Sequence, residues 1–412
     1  MLARALDALH RRDGGRLLAR LIRQFRSFDM AEDGLHDAYA KALQRWPADG
    51  VPDNPAAWIA TVARRCVLDR LERQQHHVSF DFERAVMIEP HDMVGIDDDP
   101  GPIPDERLRL IFMCCHPAIV QPAQVALTLR SLCGLTTREI ARAFVEPEST
   151  TAQKLTRAKR KIAQAGITYE VPDSDAFVTR LASVLAVIYF VFNEGYVACS
   201  GGDLLRPDLC TEAIRLGWLL YELLPKQPEA AGLLALMLLH EARRETRTDA
   251  DGALVVLEDQ ERSRWSHVLI AEATAILDDA LLHRRPGPYQ IQAAIAALHA
   301  SAATAAKTDW LQIYALYRAL LRHLPTPVVE LNAAVALAMS TSIEQGLKWI
   351  NRIEQSGSLD HYHLLHAAKG DLLRRSGQTE TARSYYQRAW DLATNHGERG
   401  YLQRRIHELS KA

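Results

Sequence analysis

Apolar residues recur at the spacing of an amphipathic helix along most of the chain, and this periodicity predicts an all-α fold. The first helical segment lies within residues 15–45. Its apolar face contains Leu17, Leu18, Leu21, Ile22 and Phe25. A second helix begins at Met30 or Ala31. Its predicted core positions are Ala38, Ala42 and Leu43, whereas Glu32, Asp33, Asp37 and Lys41 are predicted to face solvent.

Proline residues mark the boundaries of the second and third helices. The second helix is predicted to end at Trp46-Pro47, because proline lacks the amide hydrogen that continues a helix. Pro55 opens the third helix, since its fixed backbone angle suits the first helical position, and this helix runs to Arg73. Its apolar stripe contains Trp58, Ile59, Val62, Ala63, Val67 and Leu71. The stripe predicts that Trp58 packs in the core.

Two shorter helices joined by a turn are predicted between residues 134 and 162. Thr136 or Thr137 caps the first helix, because a threonine hydroxyl can accept a hydrogen bond from a free amide of the first turn. Residues 146–148 form the turn, and Ser149 caps the second helix. The second helix carries closely spaced cations at Lys154, Arg157, Lys159, Arg160 and Lys161. A helix with these features is typical of proteins that bind DNA.

The distribution of charge is more informative than its sum, which is −2 over 412 residues. Residues 76–106 are rich in Asp, Glu and Pro and predict a solvated linker, whereas Arg130 to Lys161 is strongly basic. We therefore predict five segments: a helical domain at 1–75, an acidic linker at 76–106, a basic helical domain at 107–170, a helical middle domain at 171–289 and a repeat-like domain at 290–412.

The C-terminal part of the chain shows a repeating pattern. Its spacing of small and large apolar residues fits a degenerate tetratricopeptide repeat, in which helix pairs stack to form a concave surface. The matching positions are Gly370, Leu373, Gly377, Ala382, Tyr386 and Ala389, and an earlier repeat matches at Ala334, Leu337, Gly346, Ile350 and Ile353. Helical hairpins packed without a true solenoid are the alternative.

The sequence offers no arrangement that predicts catalysis, a metal site or a bound cofactor. The six cysteines lack zinc-finger spacing, and Cys114-Cys115-His116 is interpreted as buried packing residues. No apolar run is long enough to span a membrane, and no signal segment is evident, so we expect a cytoplasmic protein that does not contact membranes. Because no catalytic arrangement is evident in the sequence, we expect a protein that is not an enzyme.

Polar residues cluster at three places in the middle domain. These clusters are Asn193–Tyr196, His240–Arg244 and Glu258–Trp265. We interpret them as structural networks in which the side chains satisfy one another. A pocket for a ligand is the alternative.

Several of these segments resemble parts of a known family. Ala31–Ala42 and Trp58–Leu71 resemble region 2 of the extracytoplasmic-function sigma factors of bacterial RNA polymerase, within the sigma-70 family. The basic two-helix segment at 134–162 is similar to their region 4, a helix-turn-helix. The long C-terminal extension resembles that of a subgroup with a tetratricopeptide-like domain, and Phe112–Pro117 also fits that subgroup.

The resemblance implies three sets of functional residues. The β′ subunit of core polymerase would contact Glu32, Asp33, Asp37 and Lys41. The −10 element would contact Arg64, Arg65, Arg70 and Arg73, aided by the loop at 46–54. The −35 element would contact Ser149, Thr150, Gln153, Lys154 and Arg157, with Lys159, Arg160 and Lys161 closer to the phosphates.

The implied partners are core RNA polymerase, through its β′ and β subunits, and promoter DNA, together with a protein or ligand partner of the C-terminal domain. Two other functions fit parts of the pattern. One is a helix-turn-helix regulator that does not join polymerase, and the other is a tetratricopeptide-type scaffold that binds proteins. A plain regulator has no need for the helices at 31–43 and 55–73.

Overall fold

Helices account for all regular elements in the part of the chain that the structure describes, which confirms the all-α fold. The structure is a computed structural model, and it describes residues 2–77, 106–143, 146–167, 169, 174–196, 207–250 and 252–411. The predicted linker at 76–106 therefore lies almost wholly outside the described residues. Within these ranges, no helix is both long and apolar enough to cross a bilayer.

The described helices follow one another in chain order. They are α1 Leu2–Phe25, α2 Phe28–Asp49, α3 Pro55–His77, α4 Glu106–Cys114, α5 Gln121–Ser131, α6 Thr137–Ala143, α7 Glu148–Gln164, α8 Ser174–Tyr196, α9 Pro207–Leu223, α10 Pro228–Glu241, α11 His267–Leu282, α12 Pro288–Ser301, α13 Trp310–His323, α14 Pro327–Ser340, α15 Ile343–Gln355, α16 His363–Arg375, α17 Thr379–Leu392 and α18 His396–Lys411. The chain divides into two units, Met1–Val187 and Ile188–Ala412. The finer domain boundaries stay predictions.

The second helix is longer at both ends than its pattern predicts. Ser27 caps it and the helix begins at Phe28, before the predicted start. It also continues through Pro47 to Asp49, so the predicted end at Trp46-Pro47 is wrong. A proline in the last turn removes only one helical hydrogen bond, and the Gly50 amide still donates to the Trp46 carbonyl at 3.1 Å.

The core of the first three helices follows much of the predicted periodicity, but Leu43, Glu32 and Lys41 depart from it. The side chains that are buried as predicted include Leu17, Leu18, Leu21, Ile22, Ala38 and Ala42. Leu43 is 49% exposed, contrary to its predicted place in the core. Glu32 is only 9% exposed, although its charge predicted a solvent-facing position. It is buried because α7 packs across α2 at this point.

The short helix α6 begins with a reciprocal cap. The Thr136 amide donates to Glu139 Oε2 at 2.8 Å, and the Glu139 amide donates to Thr136 Oγ1 at 3.2 Å. The next helix, α7, begins at Glu148, with Pro147 as its N-cap, so the prediction that Ser149 caps it is wrong. The extended Pro147 places its carbonyl to accept from the Thr150 amide at 3.0 Å, which starts the helix earlier.

The adjacent cysteines of α4 and its end are packing residues, as predicted. Cys114 and Cys115 are 0% and 1% exposed. Burial raises the pKa of the Cys114 thiol to about 12, so this thiol is not ionised at neutral pH.

Helix pairs fill the second unit from α12 onwards. The pairs α12 and α13, α14 and α15, and α16 and α17 each pack together, and α18 packs on α17. Glycine permits the closest approach: a Cβ on Gly346 would lie 2.4 Å from Ala338 Cβ, and one on Gly370 would meet the Tyr386 ring. These contacts bury several of the predicted repeat positions, among them Ile350, Ile353, Ala382, Tyr386 and Ala389. The tetratricopeptide register itself stays a prediction.

Candidate nucleic-acid interface

The basic residues of α7 lie opposite its buried stripe. Thr151, Leu155, Ala158 and Ile162 recur every three or four residues and are buried. The residues predicted to contact the −35 element are arranged around the rest of the helix. Ser149, Gln153, Arg157, Arg160 and Lys161 are exposed, whereas Thr150, Lys154 and Lys159 are half-buried. The structure therefore brings these residues together on one helix but gives them unequal access.

Residues of α7 neutralise and hydrogen-bond a carboxylate in the acidic turn before it. Glu146 forms an ion pair with Lys154 and accepts a hydrogen bond from Thr151 Oγ1 at 2.6 Å. Partial burial opposes ionisation of Glu146, but the hydrogen bonds from Lys154 and Thr151 outweigh it and lower the pKa of this carboxyl. Glu146 thus orders the start of α7, and Lys154 is already engaged within the protein.

A second cation of α7 is held by α2. Lys159 forms an ion pair with Glu32, and its ammonium lies 5.9 Å from the centre of the Phe28 ring. The side chains of Lys159 and Glu32 are 23% and 12% exposed. A residue predicted to approach DNA phosphates and one predicted to contact polymerase therefore neutralise each other.

Carboxylates of α2 also neutralise a cation of α3. Arg70 forms ion pairs with Asp33 and with Asp37, the latter at 2.9 Å between Nη2 and Oδ2. Arg65 and Arg73 are exposed, and Arg64 is half-buried. Arg70, a residue predicted to contact the −10 element, is therefore paired with Asp33 and Asp37, which are predicted to contact polymerase.

The fourth candidate polymerase contact lies deeper than predicted. Lys41 is half-buried, and its Nζ lies 3.2 Å from the Sγ of Cys66. On the neighbouring part of the surface, Trp58 is half-buried and packs edge-on against the buried Trp46, with 5.3 Å between the ring centres. The two indoles therefore flank a loop at residues 50–54, whereas residues 46–49, predicted as part of that loop, belong to α2.

The first helix also packs against α5 and α6, a contact that no local sequence pattern predicted. Arg11 Nη2 lies 3.0 Å from Glu139 Oε1, and a Cβ on Gly15 would lie 2.8 Å from the Cα and carbonyl oxygen of Leu132. Burial opposes ionisation of Glu139, yet hydrogen bonds from Thr136 and Arg11 lower its pKa to about 2. Arg11 stands beside Arg12 and Asp13, and nothing in that local pattern specifies a distant partner.

The described residues contain no group of three or more His, Cys, Asp or Glu side chains placed to hold a metal ion. The first unit combines charged residues from three helices. It presents cations from α3 and α7 and carboxylates from α2, and it contains ion pairs that join the two sets.

Comparisons with known proteins agree with this geometry. A profile of sigma-70 region 2 matches residues 9–77, and a profile of a family of unknown function, DUF6596, matches residues 180–281. An uncharacterized protein of Rhizobium meliloti (strain 1021) is 43% identical over 400 residues, which cover 95% of this chain and 92% of the relative. No solved structure matches the chain. The chain therefore belongs to the family of this Rhizobium meliloti protein, and its sigma-70 region 2 supports a place in the sigma-70 family.

Proposed function

We propose that this protein is a sigma factor of the extracytoplasmic-function type, which directs core RNA polymerase to promoters. The observation that carries this proposal is the sigma-70 region 2 at residues 9–77, followed in the same chain by the basic helix α7. Region 2 supports promoter recognition and transcription initiation with core polymerase. A regulator that acts on duplex DNA alone would not need this domain.

In this mechanism α6 and α7 act as a region 4 helix-turn-helix that reads the −35 element. The N-terminal part of a recognition helix meets base edges in the major groove, so Ser149, Gln153 and Arg157 are the candidates for base contact. Their exposure leaves them accessible. Arg160 and Lys161, which are also exposed, would contact phosphates. Together these residues would fix the register of the protein on the duplex.

The third helix would act on the −10 element. Melted DNA offers phosphates and unpaired bases, which cationic surfaces with pocket-forming loops can hold. Arg65 and Arg73 are exposed for this role, and the loop at 50–54 lies directly before the start of α3. The −10 contacts would stabilise the open promoter without a covalent step.

The ion pairs of α2 would have to exchange partners during assembly. Glu32, Asp33 and Asp37 are the candidate carboxylates for the β′ subunit, and they neutralise Lys159 and Arg70 in the free chain. When polymerase binds these carboxylates, Lys159 and Arg70 become free to contact DNA. Binding of polymerase would thereby increase the positive charge available to the promoter.

The decisive experiment is run-off transcription with sigma-free core polymerase and the upstream region of the gene itself. We expect initiation at a defined site, and we expect the protein to co-purify with core polymerase. No initiation together with no co-purification would contradict a sigma-factor function. Duplex binding without co-purification would instead support a helix-turn-helix regulator.

The C-terminal unit would supply a regulatory or protein-binding function in the same chain. Its stacked helix pairs support this role, since such pairs provide a concave binding surface. The match to DUF6596 lies at residues 180–281, in the first part of this region.

A further inference from the structure

Three arginines and two histidines converge inside the C-terminal unit. Arg243 Nη2 lies 3.0 Å from His240 Nδ1, and the Arg243 guanidinium lies 5.6 Å from the centre of the Tyr196 ring. Arg247 is 6% exposed, lies 3.5 Å from the centre of the same ring and donates to the Tyr196 carbonyl. Arg262 donates to the carbonyls of His299 and Ala302.

We call this group, formed by His240, Arg243, Arg247, Arg262 and His299, the cationic cluster. Within the described part of the chain, none of its arginines forms an ion pair with Asp or Glu. Of the nearby carboxylates, Glu241 pairs with Arg244 and Glu258 with Arg375, while Glu398 lies 3.2 Å from His363 and also favours the charged form of Arg247. Arg243 and Arg262 are half-buried cations without a paired carboxylate among the described residues, and this arrangement favours an anion from outside the chain.

Burial is the main influence on the pKa values of the two histidines of the cluster, and the neighbouring arginines add to it. Burial, reinforced by Arg243 and Arg262, lowers the pKa of His299 to about 4. Burial, reinforced by Arg243 and Arg247, also lowers the pKa of His240 well below its usual range. Both rings are therefore neutral at physiological pH, and each can donate one hydrogen bond to an anion.

A cavity lies directly against the cluster. It has a volume of about 410 Å³, and its walls include Arg243, His240 and His299 together with the amides of Gln292 and Asn332. A larger cavity of about 710 Å³ adjoins it, since Leu257, His299 and Asn332 line both. Most of the wall of the larger cavity is apolar. This wall includes Val335, Met339, Trp310 and Leu364.

The chain itself closes one side of the larger cavity. The connection between α10 and α11 lies along the walls formed by α16 and α18. Glu258 pairs with Arg375 of α16, and Asp259 pairs with Arg405 of α18 at 2.9 Å. These pairs hold the connection against α16 and α18, and the space left beside it suits a small molecule.

We propose that the two adjoining cavities bind a small organic anion, whose carboxylate or phosphate is held by Arg243 and His299 while its apolar body occupies the larger cavity. The planar fork of an arginine matches both kinds of anion. The cavity volumes lie within the range of small-molecule sites, about 300 to 1,000 Å³. This site does not depend on the function proposed for the first unit. It would make the polar cluster at His240–Arg244 a ligand pocket rather than a closed network.

Binding to the full-length protein tests the site with four defined probes. Benzoate and phenyl phosphate carry an anionic group on an apolar body, whereas benzamide lacks the charge and inorganic phosphate lacks the apolar body. We expect calorimetry to detect benzoate or phenyl phosphate binding at least about tenfold more tightly than benzamide or inorganic phosphate. Equal binding of benzamide, or no binding of either organic anion at millimolar concentration, would overturn the site.

Substitution of Arg243 separates a binding role from a structural one. Arg243→Gln should weaken binding of the organic anion at least about tenfold, yet leave the melting temperature of the ligand-free protein unchanged or higher, because it removes an uncompensated charge. Arg352→Gln, at an exposed arginine of α15, is the matched control and should bind as the unaltered protein does. Equal affinity in the two variants would contradict the proposed site, as would a melting temperature lowered by Arg243→Gln.

A second variant tests the site even if Arg243→Gln does not fold. Arg262→Gln removes one cation from the wall of the larger cavity, which Arg375 and Arg405 also line, and should also weaken binding of the organic anions. Circular dichroism of each variant checks the helical fold. A carboxylate-ended peptide that bound more tightly than every small anion would also contradict the site.

Discussion

Lys159 of α7 and Glu32 of α2 form an ion pair in which both side chains are largely buried. The pair joins a helix that we propose binds DNA to a helix that we propose binds polymerase. Because the pair is buried, the intact pair contributes little to the free energy of unfolding. Removal of one partner destabilises the protein, since the other charge then remains buried without a counter-charge. This asymmetry can be measured.

Lys159→Ala should destabilise the protein by about 1 to 3 kcal/mol, because it leaves the Glu32 carboxylate buried without a counter-charge. The double variant Lys159→Ala and Glu32→Ala should recover part of this loss. Urea unfolding of the single and double variants gives the coupling energy. Lys348→Ala is the control, since Lys348 is 69% exposed in its pair with Glu344 and should change stability by less than about 0.5 kcal/mol. Additive effects of the two substitutions would show that the pair is not formed in solution.

Arg157→Ala should weaken binding of a duplex −35 fragment by about 1 to 3 kcal/mol while core polymerase still binds, because Arg157 is exposed on the recognition face of α7. Fluorescence anisotropy with the promoter fragment and co-purification with core polymerase measure the two activities. Arg383→Ala, at an exposed arginine of α17, should alter neither. If Arg157→Ala abolished polymerase binding, the assignment of α7 to DNA would be wrong.

The Glu139 carboxyl predicts how acid affects the first unit. Its pKa is about 2 in the folded protein against 4.5 for an ordinary glutamate, so the folded state binds this proton less readily than the unfolded state. Its stabilising contribution is present above pH 4.5 and is lost as the pH falls towards 2. Thermal unfolding of Glu139→Gln between pH 2 and 5 should show a shallower loss of stability than the unaltered protein. The exposed Glu380 offers a control, and Glu380→Gln should follow the unaltered curve.

Two adjacent glycines of α1 should respond differently to alanine. A Cβ on Gly15 would meet the backbone of Leu132 at 2.8 Å, and a backbone atom cannot rotate away, so Gly15→Ala should cost about 1 to 3 kcal/mol. A Cβ on Gly14 would meet only the His10 ring at 2.7 Å, which can move. The better helix propensity of alanine, about 1 kcal/mol, offsets that smaller cost. Equal destabilisation by the two substitutions in urea would exclude the close contact of α1 with Leu132.

Local signals in the sequence predicted local structure well. Pro55 begins α3 as predicted, and the periodicity of α7 correctly separated the buried Leu155 and Ile162 from the exposed Arg157. These features depend on residues within one or two turns of each other. A pattern over such short distances carries its own physical cause, whether a cap, a fixed backbone angle or an apolar stripe.

Contacts between distant residues could not be predicted from one sequence. Glu32 is charged and was therefore expected at the surface, but Lys159, 127 positions away, allows its burial. The sequence showed the polar stretches that form the cationic cluster, but it did not show that they converge, for the same reason. Arg243 and Arg262 lie in separate polar stretches, and the lack of a carboxylate partner for either of them becomes visible only when the helices around them are in place.

The ion pairs of α2 also set how the protein should respond to salt. Each phosphate contact releases condensed counterions from the DNA. The binding constant therefore falls as salt rises, and each contact adds about −0.9 to the slope of its logarithm against the logarithm of salt concentration. Lys159 and Arg70 are neutralised within the free chain, so they release no counterions when that chain binds DNA alone. If polymerase takes their carboxylate partners, the holoenzyme gains both contacts, and its promoter binding should be more sensitive to salt than the charge of the free protein indicates.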